Sequence, residues 1–262
     1  LVFTVVPAAA AAQGDTGTQH IDVPLTNPGQ PVVLHASLMS GGLKVEGQDV
    51  DKVVVEVIRT EERDDDSGVG GMKRIPGAGL GLTVEEKDNV VEVSGAWNGN
   101  VDTVAIKVPR RTSMKLSCVN GGDIVVSGVE GELELQNTNG GISALNVSGE
   151  VVAHTTNGEV KVIFDKITPG KAMSFVTFNG NVDVTFPPGL KSDLRIKTDS
   201  GNIYTDFDFQ AKPQKTKVES KREGGKFQVS LDQDVRATIG GGGPEMYFKT
   251  WSGDVYIRKS GK

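Results

Sequence analysis

The stretch Asn139-Gly140-Gly141-Ile142, with its four relatives between Val119 and Thr205, decides the fold of this chain. Each copy consists of a small polar residue, a glycine, any residue and a branched apolar residue. The other copies are Gly121-Gly122-Asp123-Ile124, Asn157-Gly158-Glu159-Val160, Asn179-Gly180-Asn181-Val182 and Ser200-Gly201-Asn202-Ile203. Their second-position glycines follow one another at intervals of about 18 to 22 residues. An internal period of this length is typical of solenoid proteins, in which one repeat stacks on the next.

A second corner lies between successive copies of the phrase, and two corners per repeat leave two short sides, each long enough for one strand. Its copies are Gly128-Val129-Glu130-Gly131, Val147-Ser148-Gly149, Thr168-Pro169-Gly170 and Pro187-Pro188-Gly189. Apolar and polar residues alternate along the sides, as in Val160, Val162 and Phe164. A meander of hairpins would also alternate, but its turns would not return to the same side of every repeat. The pattern therefore predicts an all-β, single-domain parallel β-solenoid, a single-stranded β-helix with rungs of about 18–22 residues.

The repeated residues have a structural and a functional interpretation. Glycine permits the positive φ of a sharp corner, and Asn or Ser bonds local backbone groups. Stacked Asn side chains could bond along the axis as a ladder, and a Thr two residues earlier could form a second one. The structural interpretation is favoured over a ligand-binding polar stripe, because the same residues form the corner in every rung. The predicted corner and ladder residues are Gly122, Asn139, Gly140, Asn157, Gly158, Asn179, Gly180, Ser200, Gly201, Ser252, Gly253, Thr155, Thr177, Thr198 and Thr250.

The flanking sequence divides the chain into a signal remnant, a leader and one long domain. Residues 1–12 combine an apolar core with an Ala run that suits signal peptidase, so cleavage near Ala12 and export to the periplasm, cell surface or medium are expected. The chain lacks an initial Met and a basic start, so a further N-terminal segment is expected. The apolar run is too short to span a bilayer. Residues 13–18 are predicted to form a flexible leader.

Residues 19–259 are predicted to form the solenoid domain, with insertions at 61–81 and 206–237. Ser40-Gly41 is an early copy of the phrase, so residues 19–60 are expected to form the N-terminal rungs and cap. The segment from Thr250 to Ile257 repeats the phrase once more and is expected to be the last rung and cap.

Composition and isolated residues argue against several kinds of site. The net charge of −6 argues against a nucleic-acid partner. Asp64 to Asp66 lack the alternating spacing of a calcium loop, so a solvated loop is favoured over a metal site. Cys118 shares a strand face with Met114 and Leu116, which predicts a buried, unreactive thiol. Three histidines, His20, His35 and His154, are scattered, and no cofactor or metal is predicted.

Several of these segments resemble the bacterial putative-adhesin family, an adhesin-like domain of unknown function in exported proteins. The resemblance rests on the run from Val108 to Leu116, on the Asn-Gly rungs and on the closing Thr250-Trp251-Ser252-Gly253-Asp254-Val255. It covers roughly residues 35 to 258. It implies a β-solenoid, a right-handed single-stranded β-helix, and it brings no established catalytic residues.

Three functions are compatible with these observations. The favoured one is a non-catalytic, exported envelope or surface module that binds a cell-surface carbohydrate or an envelope protein. A carbohydrate-active β-helix enzyme, a polysaccharide lyase or glycosidase, is the alternative, and its candidate acids are Glu132, Glu134, Glu159 and Asp183. A periplasmic partner in envelope-stress regulation is the third, and no residue separates it from the first.

Overall fold

The computed structural model describes residues 18–58, 81–95, 102–213, 217–223, 226–232 and 234–261. The predicted signal remnant, residues 13–17 of the leader and the acidic run at 64–66 lie outside these residues. Within the described part of the chain, the regular structure consists of β-strands, as predicted, and no α-helix is found. Of the strands in the described residues, twenty form one sheet and two form a separate hairpin.

The strands of the first half are β1 (Thr18–Pro24), β2 (Val32–Ser40), β3 (Gly42–Gln48), β4 (Lys52–Ile58), β5 (Leu82–Lys87), β6 (Val90–Gly95), β7 (Thr103–Pro109), β8 (Thr112–Asn120), β9 (Ile124–Ser127), β10 (Glu130–Asn139) and β11 (Ile142–Asn157). Those of the second half are β12 (Val160–Ile167), β13 (Met173–Val176), β14 (Val182–Phe186), β15 (Ser192–Ser200), β16 (Ile203–Thr205), β17 (Phe209–Ala211), β18 (Lys217–Glu223), β19 (Lys226–Asp232), β20 (Val235–Ile239), β21 (Glu245–Ser252) and β22 (Val255–Lys259).

Most neighbouring strands are parallel, and they form two stacks that meet at the Asn-Gly corner. Side A contains the strands that lead into this corner, in the spatial order β6, β2, β8, β10, second half of β11, β13, β21 and β15. Side B contains the strands that leave it, in the order β7, β3, β9, first half of β11, β12, β14, β22 and β16. Strand β11 belongs to both sides because it bends at the opposite corner, where Asn146 and Gly149 have positive φ.

The pairing register aligns equivalent positions of successive repeats. Asn139 lies opposite Asn120 on one side and Asn157 on the other. Val160 likewise lies between Ile142 and Val182. Because a one-residue slip would turn every apolar side chain outward, burial of one face holds this register.

The spatial order of the repeats departs from the chain order at both ends. The pair β2–β3, first in the sequence, lies between β6–β7 and β8–β9. The pair β21–β22, last in the sequence, lies between β13–β14 and β15–β16. The prediction that residues 250–257 form the terminal rung and cap is therefore wrong. In the sequence, the antiparallel strands β4 and β5 separate β3 from β6, and β17 to β20 separate β16 from β21, so at both places the chain does not pass directly from one parallel repeat to the next.

Antiparallel strands cover most of the outer edges of the two stacks. At the N-terminal end, β4 and then β1 extend side B, and β5 pairs with β6 on side A. At the C-terminal end, β20 and then β17 extend side A. Segment 206–237 thus contributes two strands to the main sheet, whereas β18 and β19 within it pair only with each other among the described strands.

The space between the two sides is filled by the inward residues of every strand. In the first repeats these residues are aliphatic, such as Leu34, Leu116 and Ile124, all essentially inaccessible. In the later repeats four buried phenylalanines replace them: Phe164, Phe175, Phe186 and Phe248. Their rings alternate between stacked pairs at 5.2 Å and edge contacts at 6.2–6.4 Å. Such aromatic contacts stabilise the core beyond the burial of area.

Candidate functional site

The Asn residues of the repeated phrase form a continuous row of side-chain hydrogen bonds along the corner. Asn139 Nδ2 donates to Asn120 Oδ1 at 3.0 Å, and Asn157 Nδ2 donates to Asn139 Oδ1 at 2.9 Å. Asn179 Nδ2 then donates to Asn157 Oδ1 at 2.8 Å. All donors point the same way, so the row has a direction: it starts from the Asn179 amide, near the C-terminal repeats, and ends on Asn120 Oδ1. Beyond Asn179 the row continues as Ser252 and then Ser200, in register.

The corner glycines are required by close approach of backbones, in addition to conformation. A Cβ added to Gly158 would lie within 2.6 Å of Gly141 N and would also overlap the Gly140 carbonyl. Gly158 has a φ of 151°, but Gly140, Gly122 and Gly201 have no positive φ. A Cβ at each of these three would still overlap the backbone of a glycine on the adjacent strand. The predicted reason, positive φ, therefore applies to Gly158, Gly180 and Gly253 only.

The Thr row lies just inside the corner, and each hydroxyl donates to a glycine carbonyl of an adjacent repeat. Thr155 bonds Gly140 O, Thr177 bonds Gly158 O and Thr250 bonds Gly180 O, each at 2.8 Å. Thr198 bonds Gly253 O at 3.1 Å. Three of these Thr side chains are buried, and Thr198 is half-buried. These bonds supply the corner carbonyls with donors from the buried side of the corner.

Two further members of this row, Asn137 and Cys118, were not predicted from the sequence because they are not Thr. Asn137 lies opposite Thr155, and its Nδ2 donates to Gly122 O at 2.9 Å. Cys118 lies opposite Asn137 and is buried with Met114 and Leu116, as predicted. Burial raises the pKa of the Cys118 thiol to about 12, so it is protonated at neutral pH. Asn137 lies one repeat interval from both Thr155 and Cys118, and this spacing in the sequence would have placed it in the row.

A third row, after the corner glycine, carries short polar side chains that bond backbone N–H groups. Gly141 N donates to Asp123 Oδ1, and Asp254 N donates to Asn181 Oδ1. Asn202 N donates to Asp254 Oδ1 at 2.7 Å, which holds the pKa of the Asp254 carboxyl below its usual range. These residues close the outer side of the corner.

The candidate acids of the enzyme alternative do not converge. Glu132 and Glu134 lie outward on side A, Asp183 lies on side B and Glu159 lies at the corner between them. Glu134 pairs with Lys115 at 3.0 Å, and Asp183 Oδ1 accepts from Arg258 Nε at 2.7 Å.

One pair of carboxylates does share a neighbour. Glu132 lies opposite Glu150, and Lys171 Nζ approaches both, at 3.1 and 2.9 Å. The two carboxylates raise the pKa of Lys171. They border a shallow depression of about 330 Å³ on side A, open to solvent. Glu132 and Glu150 are one repeat interval apart, which would have revealed this pair in the sequence.

Exposed aromatic rings accumulate at the C-terminal end of the corner. Phe178 and Trp251 precede Asn179 and Ser252, and about half of each side chain is exposed. Their rings are stacked, with centroids 5.5 Å apart and planes 9° apart. On side B, Tyr204 and Tyr256 stack at 5.1 Å. Sequence reasoning overlooked these pairs, although Phe178 and Trp251 occupy the same place in the phrase.

The histidines and acids of the described residues form no group of three or more that could hold a metal ion. His20 and His35 are exposed, on β1 and β2. His154 is half-buried beside Ser174 Oγ at 2.9 Å, and desolvation lowers its pKa. A membrane-crossing helix, long and apolar enough, is likewise not found among the residues described.

Comparison with known proteins identifies a family and several solved structures. The family model described as Toastrack DUF4097 matches residues 34–235. A putative cell adhesion protein from Clostridium sporogenes is 12% identical, with 93% of this chain and 100% of that chain covered and a TM-score of 0.42. A putative adhesin from Bacteroides fragilis is 11% identical, with 94% and 98% covered and a TM-score of 0.36. A putative adhesin from Parabacteroides merdae is 9% identical, with 96% and 100% covered and a TM-score of 0.28. No curated protein matches the chain.

Proposed function

Because the chain belongs to the Toastrack DUF4097 family, a family of unknown function, we propose that it is a non-catalytic interaction module of the cell envelope or cell surface. The observation that carries this proposal is the pair of outward faces built by in-register parallel strands. Each face presents rows of side chains at strand spacing, which suits an extended partner such as a polysaccharide or a protein segment. Of the carboxylates of the enzyme alternative, Glu134 and Asp183 lie on different faces, and each is held in an ion pair.

The proposal includes a finer description of the fold. The chain would be a parallel β-solenoid with rungs of about 18–22 residues, and the right-handed coil is what the family resemblance implies. In-register pairing of Asn120, Asn139, Asn157 and Asn179 supports the coil. The coil would form one domain over residues 19–259, so limited proteolysis should remove residues 1–18 first and leave this domain intact. An experimental structure with a left-handed coil would contradict the assigned hand.

The corner residues have a structural role in this proposal. The Asn side chains of the phrase bond one another, and the Thr side chains bond glycine carbonyls of the neighbouring backbone, which supports a corner scaffold over a ligand stripe. Substitution at the middle of the row should therefore change stability and leave partner binding unchanged in the folded protein.

Export is the part of the proposal that rests on the sequence of residues 1–12. Expression in a bacterial host should yield a product in the periplasm or medium that begins after about Ala12. N-terminal sequencing and cell fractionation measure this directly. A product that still begins at Leu1 would contradict processing at this site.

Binding to envelope material tests the function itself. The full chain should bind saturably to an insoluble bacterial envelope fraction, and heat-unfolded protein provides the control. Incubation with a panel of acidic and neutral polysaccharides, scored for unsaturated or reducing ends, tests the enzyme alternative. Turnover above background would overturn the non-catalytic proposal, whereas an envelope protein recovered by pull-down would identify a regulatory or adhesive partner.

A further inference from the structure

The aromatic residues are concentrated at one end of the molecule. The chain has 9 Phe, 2 Trp and 3 Tyr, and all but Phe3 and Trp97 lie between Phe164 and Tyr256. Some of them fill the core, but Phe178 and Trp251 stack on the outer surface of the corner. An exposed ring pair on an otherwise polar corner adds nothing to core packing, and exposed apolar groups of this kind mark interaction sites.

A free hydrogen-bond acceptor lies next to this ring pair. The amide row donates in one direction and starts at Asn179, because Ser252 occupies the next position. Within the described part of the chain, no donor reaches Asn179 Oδ1. Hydrogen bonds in a chain polarise one another, so this terminal amide oxygen is a better acceptor than an isolated one. The Ser252 hydroxyl beside it can donate and accept.

From this geometry we propose that the corner at Phe178, Asn179, Trp251 and Ser252 binds a neutral sugar ring of an extended glycan. A pyranose presents a face of C–H groups, which packs on an aromatic ring, and a rim of hydroxyls, which bond to amide and hydroxyl groups. Asp199, exposed on the next strand between the paired Thr198 and Ser200, adds an acceptor for hydroxyls and disfavours an anionic sugar.

The same chemistry fits other partners less well. Two rings flanked by Thr156, Asn179 and Asp199 offer too little apolar area for a bilayer, which needs a broad apolar face. The glycan site rests on the proposed envelope function, because it names the partner class of that module. The glycan proposal goes further than the proposed function because it specifies one corner of the molecule and one kind of ligand.

Tryptophan fluorescence tests the site directly. In a Trp97→Phe background, Trp251 is the only tryptophan, and it is titrated with cellohexaose, chitohexaose and xylohexaose. At least one of these neutral oligosaccharides should change the emission saturably. Phe178→Ala should weaken that binding about tenfold, and Asn179→Ala about fivefold, as expected for a stacking ring and a single acceptor. Thermal melting of each variant establishes that it is folded.

Matched variants separate the site from the rest of the surface. Phe209→Ala removes an exposed ring on β17, outside the stack, and should leave sugar binding unchanged. Asn139→Ala breaks the amide row two repeats away and should leave sugar binding by the folded protein unchanged. Absence of any saturable change with the three sugars would overturn the proposal. So would sugar binding by the Phe178→Ala and Asn179→Ala variants that is as tight as that of the Trp97→Phe parent. A fluorescence change with phosphatidylcholine vesicles and none with sugars would overturn it in favour of a bilayer surface.

The envelope-fraction assay tests the glycan site and the proposed interaction function separately. If wild-type protein binds the envelope fraction and Trp251→Ala binds equally well, the glycan site is wrong and the interaction module stands. If neither protein binds, the proposed function is wrong. Loss of binding by Trp251→Ala, with retention by Phe209→Ala, supports both.

Discussion

The two corners of the later repeats differ in how tightly neighbouring backbones approach. At the Asn-Gly corner, a Cβ at Gly140, Gly158, Gly180 or Gly253 would overlap a glycine carbonyl of the adjacent strand. At the opposite corner, Gly131 and Gly149 of the earlier repeats are packed just as closely, whereas Gly170 and Gly189 of the later repeats have no neighbouring atom within 4 Å of an added Cβ. The interval from Gly158 to Gly180 is longer than that from Gly140 to Gly158, and the extra residues fall around the opposite corner, where β12 ends and β13 begins. In the later repeats the Asn-Gly corner therefore holds the register, and the opposite corner accommodates differences in length.

An insertion should give the largest difference in stability between the two corners. A Gly-Ser dipeptide inserted after Gly158 would displace the Asn157 and Thr177 side chains from their partners and separate the stacked glycine backbones. Loss of four or five hydrogen bonds at about 1 kcal/mol each predicts a destabilisation of about 4 kcal/mol or more. Denaturant unfolding measures the change.

The same insertion after Gly189 provides the matched control. It lengthens a loop whose neighbours leave space, so the expected cost is about 0.5 kcal/mol. Equal destabilisation at the two positions would show that the opposite corner holds the register as tightly as the Asn-Gly corner.

Substitution of a single corner glycine should have the next largest effect. Gly158→Val places a branched side chain against the Gly140 carbonyl, at a φ of 151° that side chains rarely adopt. We expect a loss of about 3 kcal/mol in the free energy of unfolding. Gly189→Val, with no atom within 4 Å and no positive φ, should stay within about 0.5 kcal/mol of wild type. Unchanged stability of the Gly158→Val protein would contradict the close approach at this corner.

The position of each residue along the corner was predictable from the sequence, but the order of the repeats in space was not. The spacing of the glycines placed Asn139, Asn157 and Asn179 in one row, and hydrogen bonds run along that row. The all-β architecture is confirmed, and the family match confirms the adhesin-like resemblance. The insertion of β2–β3 and β21–β22 between other repeats left no local signal, because a parallel strand presents the same alternation whichever neighbour it joins.

The exposed aromatic pair shows what sequence reasoning missed at the candidate site. Alternation identifies inward positions, and Phe178 and Trp251 lie at outward ones, where a polar residue is expected. Comparison of the residue before each Asn or Ser, which is Thr138, Thr156, Phe178, Trp251 or Asp199, would have revealed the change from polar to aromatic. Whether two such rings stack depends on the spatial order of β13 and β21, which the chain order does not contain.

The buried thiol of Cys118 gives a pH-dependent test of packing beside the tight corner. Burial raises its pKa to about 12, whereas an unfolded thiol ionises near about 8.5. Above that pH the unfolded state binds fewer protons than the folded state, so this group's contribution to stability falls as pH rises toward 12. Between pH 8 and pH 10, wild type should lose about 2 kcal/mol more stability than Cys118→Ala. Parallel pH profiles of the two proteins would show that the thiol is not held in its protonated form.

The smallest expected effect concerns the amide row itself. Asn157→Ala removes one bond donated to Asn139 Oδ1 and one accepted from Asn179, both at the surface. Because water replaces exposed partners, the expected loss is about 1 kcal/mol, well below that of Gly158→Val. Thr156→Ala, at the exposed neighbouring position, should cost less than about 0.5 kcal/mol. If Asn157→Ala and Thr156→Ala were equally stable, close glycine packing would hold the register without help from the amides. If Asn157→Ala matched the cost of Gly158→Val, the amide row would be the main constraint at this corner.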